Sequence, residues 1–413
     1  MSITADLRQF VYALSDALDL VGIDDVAHGK RVGVMAAECA KTLGADDAQV
    51  RFLFDLGLLH DVGVSNTETH LHLVSEFDWT GSQTHCRVGY ELLKDFAPLR
   101  DMALPVLYHH TRWDELQRLK VDDHTARAAN LILLVDRVDA TLAPYYASGQ
   151  ALRHSPDARA AIVRHSGRYF DPILVEAFLR ASTHEAFWLN LEASALHNYL
   201  GDMARNALPC TLSHTELRQL ARLFSQIVDT KCRFTQTHSL GVAQVARRLA
   251  ERLGVAPERC EELEIAGLLH DIGKLRVPDH ILEKPGPLDP DERLVMNTHS
   301  FETLQILKKI RGFEHITAWA ADHHEAPGGH GYPHGLDADQ LPLEARILRV
   351  ADIFQAMVQD RPYRAGLDRD AVADFMRQRQ AEGSVDATVT TTLLAHLDEL
   401  YTAARQGETA ATT

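Results

Sequence analysis

Two stretches of the chain share one spacing of apolar residues. In each, a histidine, His28 or His238, is followed by apolar residues at +4, +7, +8, +11 and +15, and a glycine, Gly44 or Gly254, closes the stretch. This spacing puts the apolar side chains on one face of an α-helix, and glycine commonly ends a helix. We therefore predict an amphipathic helix after each of the two histidines.

The two stretches belong to a longer internal repeat. The phrases "GLLHDVGVS" and "GLLHDIGKL" each contain a histidine that lies 32 residues after the starting histidine of its copy. The offset between the copies grows only from 210 to 216 residues. Helical spacing fills nearly every segment, whereas strand alternation is scarce. We predict an all-α protein of two tandem helical domains, residues 1–205 and 206–405, with a seam near residues 201–217. Residues 406–413 have little to bury and are predicted to be a disordered tail.

Composition narrows the class of protein. The chain has 413 residues, of which 46% are hydrophobic, and its five cysteines form no CxxC pair, which favours a reducing compartment over a disulfide framework. No basic and apolar leader and no apolar run near the roughly 20 residues of a membrane span is present, so we expect a cytoplasmic protein. A formal charge of −16 disfavours a nucleic-acid polymer as partner. A phosphate-bearing substrate would need a local cluster of cations.

Histidines and aspartates recur at matching positions of the two copies. A single buried histidine is usually paired with an aspartate or a carbonyl group, but seven inward-facing groups without counter-charge would be costly, and divalent cations supply that charge. Five imidazoles and two carboxylates suit two metal ions rather than one, with Asp271 as the natural bridge. The second-copy set is His238, His270, Asp271, His299, His323, His324 and Asp352. The first-copy set is His28, His60, Asp61, His85, His109, His110 and Asp136.

Local signals place several of these side chains on helices. The helix that carries His299 is predicted to begin at Asp289, because Glu292 follows three residues later in a capping-box arrangement. His323 and His324 are predicted to end the buried face of the next helix, which the proline and glycines after them stop.

The pattern H…HD…H…HH…D, combined with HHE…GYP, resembles the HD-GYP branch of the HD phosphohydrolases, the cyclic-dinucleotide phosphodiesterases of bacteria. The resemblance covers about residues 215–400 and is carried by "LLHDIGKLRVPDHILEKPGPL" and "RVADIFQAMVQDRPYR". It implies two HD-type helical bundles and hydrolysis of a 3′,5′-phosphodiester. Cyclic di-GMP, cut to linear pGpG, is the first expected substrate, and 3′,3′-cyclic GMP-AMP is the alternative. It also implies a diguanylate cyclase domain as a partner of the GYP loop and a homodimer.

The resemblance implies a role for each matching residue. One metal ion would be held by His238, His270, Asp271 and Asp352, and a second by Asp271, His299, His323 and His324. Fe or Mn ions are expected, and a hydroxide held between them would attack phosphorus. Lys274 would act with Asp271 in catalysis by stabilising the transition-state charge, and Arg361 and Arg364 would also approach phosphate. Tyr332 would line the base or sugar pocket.

The chain departs from the family pattern in two places. Phe234 occupies the position of a glutamate found in members with three metals, so two metals and a linear product are expected. Ala326, Pro327 and Gly328 replace the usual residues of the loop, which leaves base preference open between the two cyclic dinucleotides.

The first copy keeps all seven ligand residues but lacks the phosphate-binding residues. Val64 replaces the lysine, and the GYP loop and arginine pair are missing. We predict a regulatory or dimerising domain that does not cut cyclic dinucleotides; an HD site for another substrate and a relic are the alternatives. For the whole chain, a non-catalytic signalling protein and a diiron oxygenase are rival hypotheses, although an oxygenase would not need Lys274 and the arginine pair.

Overall fold

The structure, a computed structural model, describes residues 5–21, 27–64, 66–67, 81–205, 210–231, 237–360 and 364–409. Across these ranges every regular element is helical, and extended pairing is limited to isolated bridges. The all-α prediction is confirmed. No helix in this part of the chain is both long and apolar enough to span a membrane.

The chain packs as two compact units. One comprises residues 10–210, and the other comprises residues 211–413 with the N-terminal stretch up to Gln9. The division falls within the seam predicted at residues 201–217. The N-terminal stretch joins the second unit, although the predicted first domain begins at residue 1, because Leu212 donates its N–H to the carbonyl of Ala5 at 3.0 Å.

Eleven described helices precede the seam. They are α1 (Leu7–Leu18), α2 (His28–Thr42), α3 (Asp47–Leu59), α4 (Gln83–Leu93), α5 (Arg100–Tyr108), α6 (Trp113–Leu119), α7 (Asp123–Tyr146), α8 (Ala151–Arg164), α9 (Pro172–Ala181), α10 (Glu185–Leu189) and α11 (Ala193–Arg205). Helix α2 packs against α3, α7 and α9. As the periodicity predicts, Val32, Met35 and Ala36 of α2 are fully buried, and Gly44 follows the helix at a φ of 78°.

Ten described helices follow the seam. They are α12 (His214–Lys231), α13 (His238–Arg252), α14 (Pro257–Leu269), α15 (Asp279–Leu282), α16 (Pro290–Leu307), α17 (Glu314–Ala321), α18 (Leu343–Val358), α19 (Arg369–Ala381), α20 (Ala387–Ala395) and α21 (Leu397–Thr409). Helix α13 is central, since it packs against α14, α18 and α21. The predicted start of α16 is confirmed: Asp289 and Glu292 form a reciprocal capping box.

Two local predictions need correction. Helix α17 ends at Ala321, and His323 and His324 lie in a 3₁₀ turn over Asp322–His324 rather than in the helix itself. A 3₁₀ turn is a common way for a helix to end, and it winds more tightly than the 3.6-residue period used in the prediction. Helix α21 reaches Thr409, so it extends four residues into the predicted tail; residues 410–413 lie outside the described part of the chain.

A close helix approach brings each His-Asp pair near the next histidine. A Cβ atom added at Gly273 would lie 2.0 Å from the carbonyl oxygen of His299, and one at Gly63 would lie 2.0 Å from that of His85. Only glycine leaves room for this contact. Both copies therefore position their site by the same backbone packing.

Candidate metal centre and its cleft

The seven predicted ligands of the second copy come together inside the second unit. His238 begins α13, His270 caps the end of α14, and Asp271 precedes a 3₁₀ segment over Ile272–Arg276. The remaining four lie on α16, on the 3₁₀ turn after α17 and on α18; they are His299, His323, His324 and Asp352. The sequence prediction that separate helices contribute to one site agrees with this placement.

Three of the imidazoles are oriented by the backbone. The Nδ1 atoms of His270, His299 and His323 each lie 2.7 Å from the carbonyl oxygen three residues earlier. Because Nδ1 then carries the proton, the lone pair lies on Nε2, which is directed to the centre of the cluster. This orientation is the one a metal ligand requires.

The two carboxylate oxygens of Asp271 face different histidines. Oδ2 lies 3.2 Å from Nε2 of His270 and 4.0 Å from Nε2 of His238. Oδ1 lies 3.6 Å from Nε2 of His299 and 3.9 Å from Nε2 of His323. Asp352 Oδ1 lies 3.1 Å from Nε2 of His238. His238, His270 and Asp352 thus form a first group, and His299, His323 and His324 form a second. This is the geometry that a bridging carboxylate between two ions would need.

Unsatisfied polar atoms support the fit to metal. Nε2 of His270 and Oδ1 of Asp271 are buried and have no hydrogen-bond partner among the described residues. Burying such atoms without a partner is unfavourable, and a cation would compensate both. The residues therefore fit divalent ions, while the assignment of each ion to its ligands stays a prediction.

Burial also favours the neutral form of three of the imidazoles. It lowers the pKa of His299 to about 4 and holds the pKa values of His323 and His324 well below the usual range. These imidazoles are neutral at neutral pH, as metal binding requires. Burial alone would raise the pKa of Asp271, but its interactions with His270 and Lys274 outweigh burial and hold that pKa well below its usual range.

A cleft of about 600 Å³ opens onto this cluster. Lys274 lines it, and its Nζ lies 2.5 Å from Oδ2 of Asp271. Four further cations line the cleft that the sequence prediction missed; they are Lys284, Arg293, Arg349 and Arg379. Arg349 could have been found, because it lies three residues before Asp352 and so shares its helix face. The cleft thus holds the local cations that an acidic protein needs to bind phosphate.

The predicted arginine pair is placed only in part. Arg361 lies outside the described residues. Arg364 is not among the cleft-lining residues; one guanidinium nitrogen donates to the carbonyl of Ala356 at 2.6 Å and another lies 3.4 Å from the sulfur of Met357. Ala356 and Met357 themselves line the cleft, so Arg364 contacts two residues of its wall.

The GYP loop packs against the second group of histidines. The ring of Tyr332 lies 4.8 Å from that of His324 and 6.3 Å from that of His299, and Tyr332 lines the cleft. Gly331 permits a close backbone crossing, since a Cβ there would lie 2.4 Å from Cα of Glu325. The predicted placement of Tyr332 beside the substrate space is consistent with this geometry.

Glu325 holds the loop in place, a role that the sequence analysis missed. Its side chain is buried and accepts three backbone N–H bonds, at 2.5, 3.1 and 2.9 Å. The donors are His334, Gly335 and Leu336. The adjacency of Glu325 to the histidine pair was the available signal, but its partners are a tertiary feature.

The first copy assembles a similar cluster in its own unit. Asp61 Oδ1 lies 3.3 Å from Nε2 of His85 and 3.6 Å from Nε2 of His109. Its other oxygen lies 3.5 Å from Nε2 of His60 and 3.8 Å from Nε2 of His28. The described residues around His28 and His60 enclose a space of only about 20 Å³, about the size of one water molecule.

The HD domain family matches the chain twice, over residues 26–141 and 222–389. The chain is 36% identical to the 3′3′-cGAMP-specific phosphodiesterase 1 of Vibrio cholerae serotype O1, over 96% of this chain and 93% of that protein. It is also 36% identical to a cyclic di-GMP phosphodiesterase of Thermotoga maritima, over 36% of this chain and 40% of that protein. A crystal structure of the cyclic GMP-AMP-specific phosphodiesterase V-cGAP3 of V. cholerae shares its fold, with a TM-score of 0.65, 25% identity, and coverage of 96% of this chain and 98% of that one.

These findings place the chain in the HD-domain family. Within that family it belongs to the cyclic-dinucleotide phosphodiesterases, with two HD domains in tandem. The predicted resemblance is confirmed.

Proposed function

We propose that the chain hydrolyses 3′,3′-cyclic GMP-AMP at the second HD set and releases a linear dinucleotide. The choice of this substrate rests on the similarity to a cGAMP-specific enzyme, which extends over nearly the whole of both chains. The cyclic di-GMP relative from T. maritima matches over only about a third of the present chain. This reverses the preference expected from the motifs alone, within the same class of substrate.

Cyclic di-GMP is the second candidate. Relatives named for it match this chain, among them one from Xanthomonas campestris that is 40% identical over 137 residues. Both dinucleotides present two phosphodiesters in one ring and share at least one guanine, so the metal ligands and phosphate-binding cations would serve either. Discrimination between them would have to come from contacts to the second base.

We further propose that the ions number two and are Fe or Mn. The two histidine groups on either side of Asp271 would hold them, with Asp352 in the first group. Bound ions would supply positive charge to the phosphoryl oxygens and lower the pKa of a water nucleophile. The homologous fold and the ligand groups support metal dependence itself.

The chain's own residues orient and stabilise the reacting phosphate. Lys274, held against Asp271 at the floor of the cleft, would donate from Nζ to a non-bridging phosphoryl oxygen as negative charge grows. The oxygen of water would bond to phosphorus as the bond from phosphorus to a ribose 3′-oxygen breaks, and a proton from that water would pass to the leaving oxygen, which gives a 5′-phosphate and a 3′-hydroxyl.

A cyclic dinucleotide carries a second phosphate that must also be bound. Arg293, Arg349 and Arg379 come from α16, α18 and α19 and line the same cleft. Arg349 is positioned by its Nε, which donates to the carbonyl of Ser384 at 2.7 Å. We propose that this arginine group binds the non-reacting phosphate, while Tyr332 contacts a base or ribose.

The partner and compartment stay predictions. The loop over residues 325–336 is the surface at which a diguanylate cyclase domain would bind, and a homodimer and a cytoplasmic location are likewise expected.

A direct comparison of substrates tests the proposal. Full-length protein loaded with Mn²⁺ would be given each cyclic dinucleotide, with products resolved by chromatography. We expect kcat/KM for 3′,3′-cyclic GMP-AMP to exceed that for cyclic di-GMP by about tenfold or more, as polar base contacts can achieve. A preference for cyclic di-GMP would overturn the choice of substrate, and turnover of neither by metal-loaded protein would favour the non-catalytic hypothesis.

A further inference from the structure

We propose that the first HD set binds one divalent metal ion rather than two, at Asp61, His85, His109 and His110, and that Arg137 takes the place of the other ion. The bound ion would be a divalent transition metal such as Zn²⁺, Mn²⁺ or Fe²⁺, for which imidazole and carboxylate groups are suitable ligands. This site is separate from the hydrolytic centre and lies within the first unit.

The four side chains converge on one point. Their ligand atoms all lie within 4.8 Å of one another. Nε2 of His85 and Nε2 of His109 are 3.1 Å apart, and both lie within 3.6 Å of Oδ1 of Asp61. Nδ1 of His109 lies 2.7 Å from the carbonyl oxygen of Val106, so its Nε2 presents a lone pair. Oδ1 of Asp61 is buried and has no hydrogen-bond partner among the described residues.

Three imidazoles and one carboxylate form a complete ligand set for one ion. A divalent cation needs about four donors with partial charge compensation, and here one carboxylate and three neutral nitrogens supply them. Without a cation, the buried Oδ1 of Asp61 would be left without a hydrogen-bond partner among the described residues, which is unfavourable.

In the other half of the first set, around His28 and Asp136, arginine side chains already supply positive charge. Nη2 and Nε of Arg137 lie 2.7 and 3.2 Å from Oδ2 of Asp136. Asp139, 2.8 Å from Nδ1 of His28, is held by Arg31 at 2.7 and 2.9 Å. All of these side chains are buried, so each carboxylate of this half is neutralised by a guanidinium in low dielectric. A second ion at His28, His60 and Asp61, whose ligand atoms also lie within 4.8 Å of one another, would add two positive charges beside carboxylates that already pair with arginines.

The second copy lacks these arginines at the matching positions. Ile353 stands where the first copy has Arg137, and Gly241 stands where it has Arg31. Gln355 replaces Asp139 and packs directly over Gly241, where a Cβ would lie 2.3 Å from its carboxamide carbon. The half around Asp352 therefore lacks the arginine pairs that neutralise the first copy, and an ion is needed there.

Metal content per chain tests this inference without measuring hydrolysis, so it is independent of the proposed activity. The starting protein would be the full chain with His270→Ala, Asp271→Ala and His323→Ala, which disables the second set. Loaded with Zn²⁺, freed of loosely bound ions by gel filtration and analysed by elemental mass spectrometry, it should hold one ion per chain. None, or two, would overturn the proposal.

Three added substitutions locate that ion. His109→Ala should remove it, whereas Asp136→Asn should leave it bound. Arg137→Ile should raise the metal content from one ion per chain to two, because it removes the guanidinium that pairs with Asp136. Loss of the ion in Asp136→Asn, or one ion still bound in His109→Ala, would contradict the assignment. Circular dichroism would establish that each variant folds, with His109→Gln as the milder substitute, and a Co²⁺ titration followed by visible absorption would give the stoichiometry independently.

Discussion

The two HD sets differ in their surroundings more than in their ligands. Asp61 and Asp271 each direct one oxygen to one pair of histidines and the other oxygen to a second pair, at distances of 3.2 to 4.0 Å. Beside Asp271 lie Lys274 and a cleft of about 600 Å³, whereas the corresponding position in the first copy is Val64. We therefore propose that the ligands alone make a metal site, and that the neighbouring cations and open space distinguish the reaction site.

The difference extends to the residues that touch the carboxylates. In the first copy, Arg137 holds Asp136, which is the counterpart of Asp352. In the second copy the position next to Asp352 is Ile353, an apolar cleft-lining residue. Replacing an isoleucine with an arginine beside a ligand, as between Ile353 and Arg137, would change both the net charge of the set and the access to it.

Of the changes considered, removal of metal should lower the rate of hydrolysis most. Dialysis of the full chain against a chelator should lower hydrolysis by at least about a thousandfold, because both charge stabilisation and water activation are lost. Adding Mn²⁺ or Fe²⁺ should restore it. Hydrolysis that persists in protein shown to be metal-free would contradict a metal-dependent second set.

Lys274→Met should have the next largest effect. Loss of a preorganised donor to the phosphoryl group is expected to lower kcat by about a hundredfold with a smaller change in KM. The matched control is Lys308→Met at the C-cap of α16, an exposed lysine outside the cleft, which should leave kcat unchanged. An equal, small effect of both substitutions would show that Lys274 does not contact the transition state.

Arg379→Ala should mainly weaken substrate binding. A charge-assisted contact to the non-reacting phosphate is worth roughly 1.5 kcal/mol or more, so KM is expected to rise about tenfold while kcat changes little. Arg377→Ala, on the same helix and paired with Asp374 at 2.7 Å, is the control. Unchanged KM in Arg379→Ala would remove Arg379 from the proposed phosphate group.

The smallest expected effects concern helix caps, where the two units should behave alike. Asp46 and Asp289 each cap a helix through a reciprocal capping box, α3 and α16 respectively. Alanine at either position should lower the free energy of unfolding of its unit by about 1 kcal/mol, whereas Asn should be nearly neutral. Chemical denaturation of the variants would measure this. A cost confined to one unit would show that the caps are not equivalent.

Local signals predicted much of the fold, and tertiary contacts account for what was missed. The helix starts at His238 and Asp289 depend on periodicity and capping over a few residues, and both are observed. Arg293 and Arg379 approach the cleft from helices far apart in sequence, and neither is adjacent to a ligand motif. Arg364 was predicted from the motif alone, and its contacts with Ala356 and Met357 could not be read from its sequence neighbours.

The most direct test is to disable each set in turn in the full chain and follow hydrolysis of 3′,3′-cyclic GMP-AMP by product chromatography. Asp271→Ala should abolish formation of the linear dinucleotide. Asp61→Ala, at the same position of the first copy, should retain activity within about threefold of the unmodified protein when it is assayed at a temperature at which circular dichroism shows it folded, because the reacting groups lie in the second set. Undiminished hydrolysis by Asp271→Ala, or its loss only in Asp61→Ala, would contradict the assignment of catalysis to the second set.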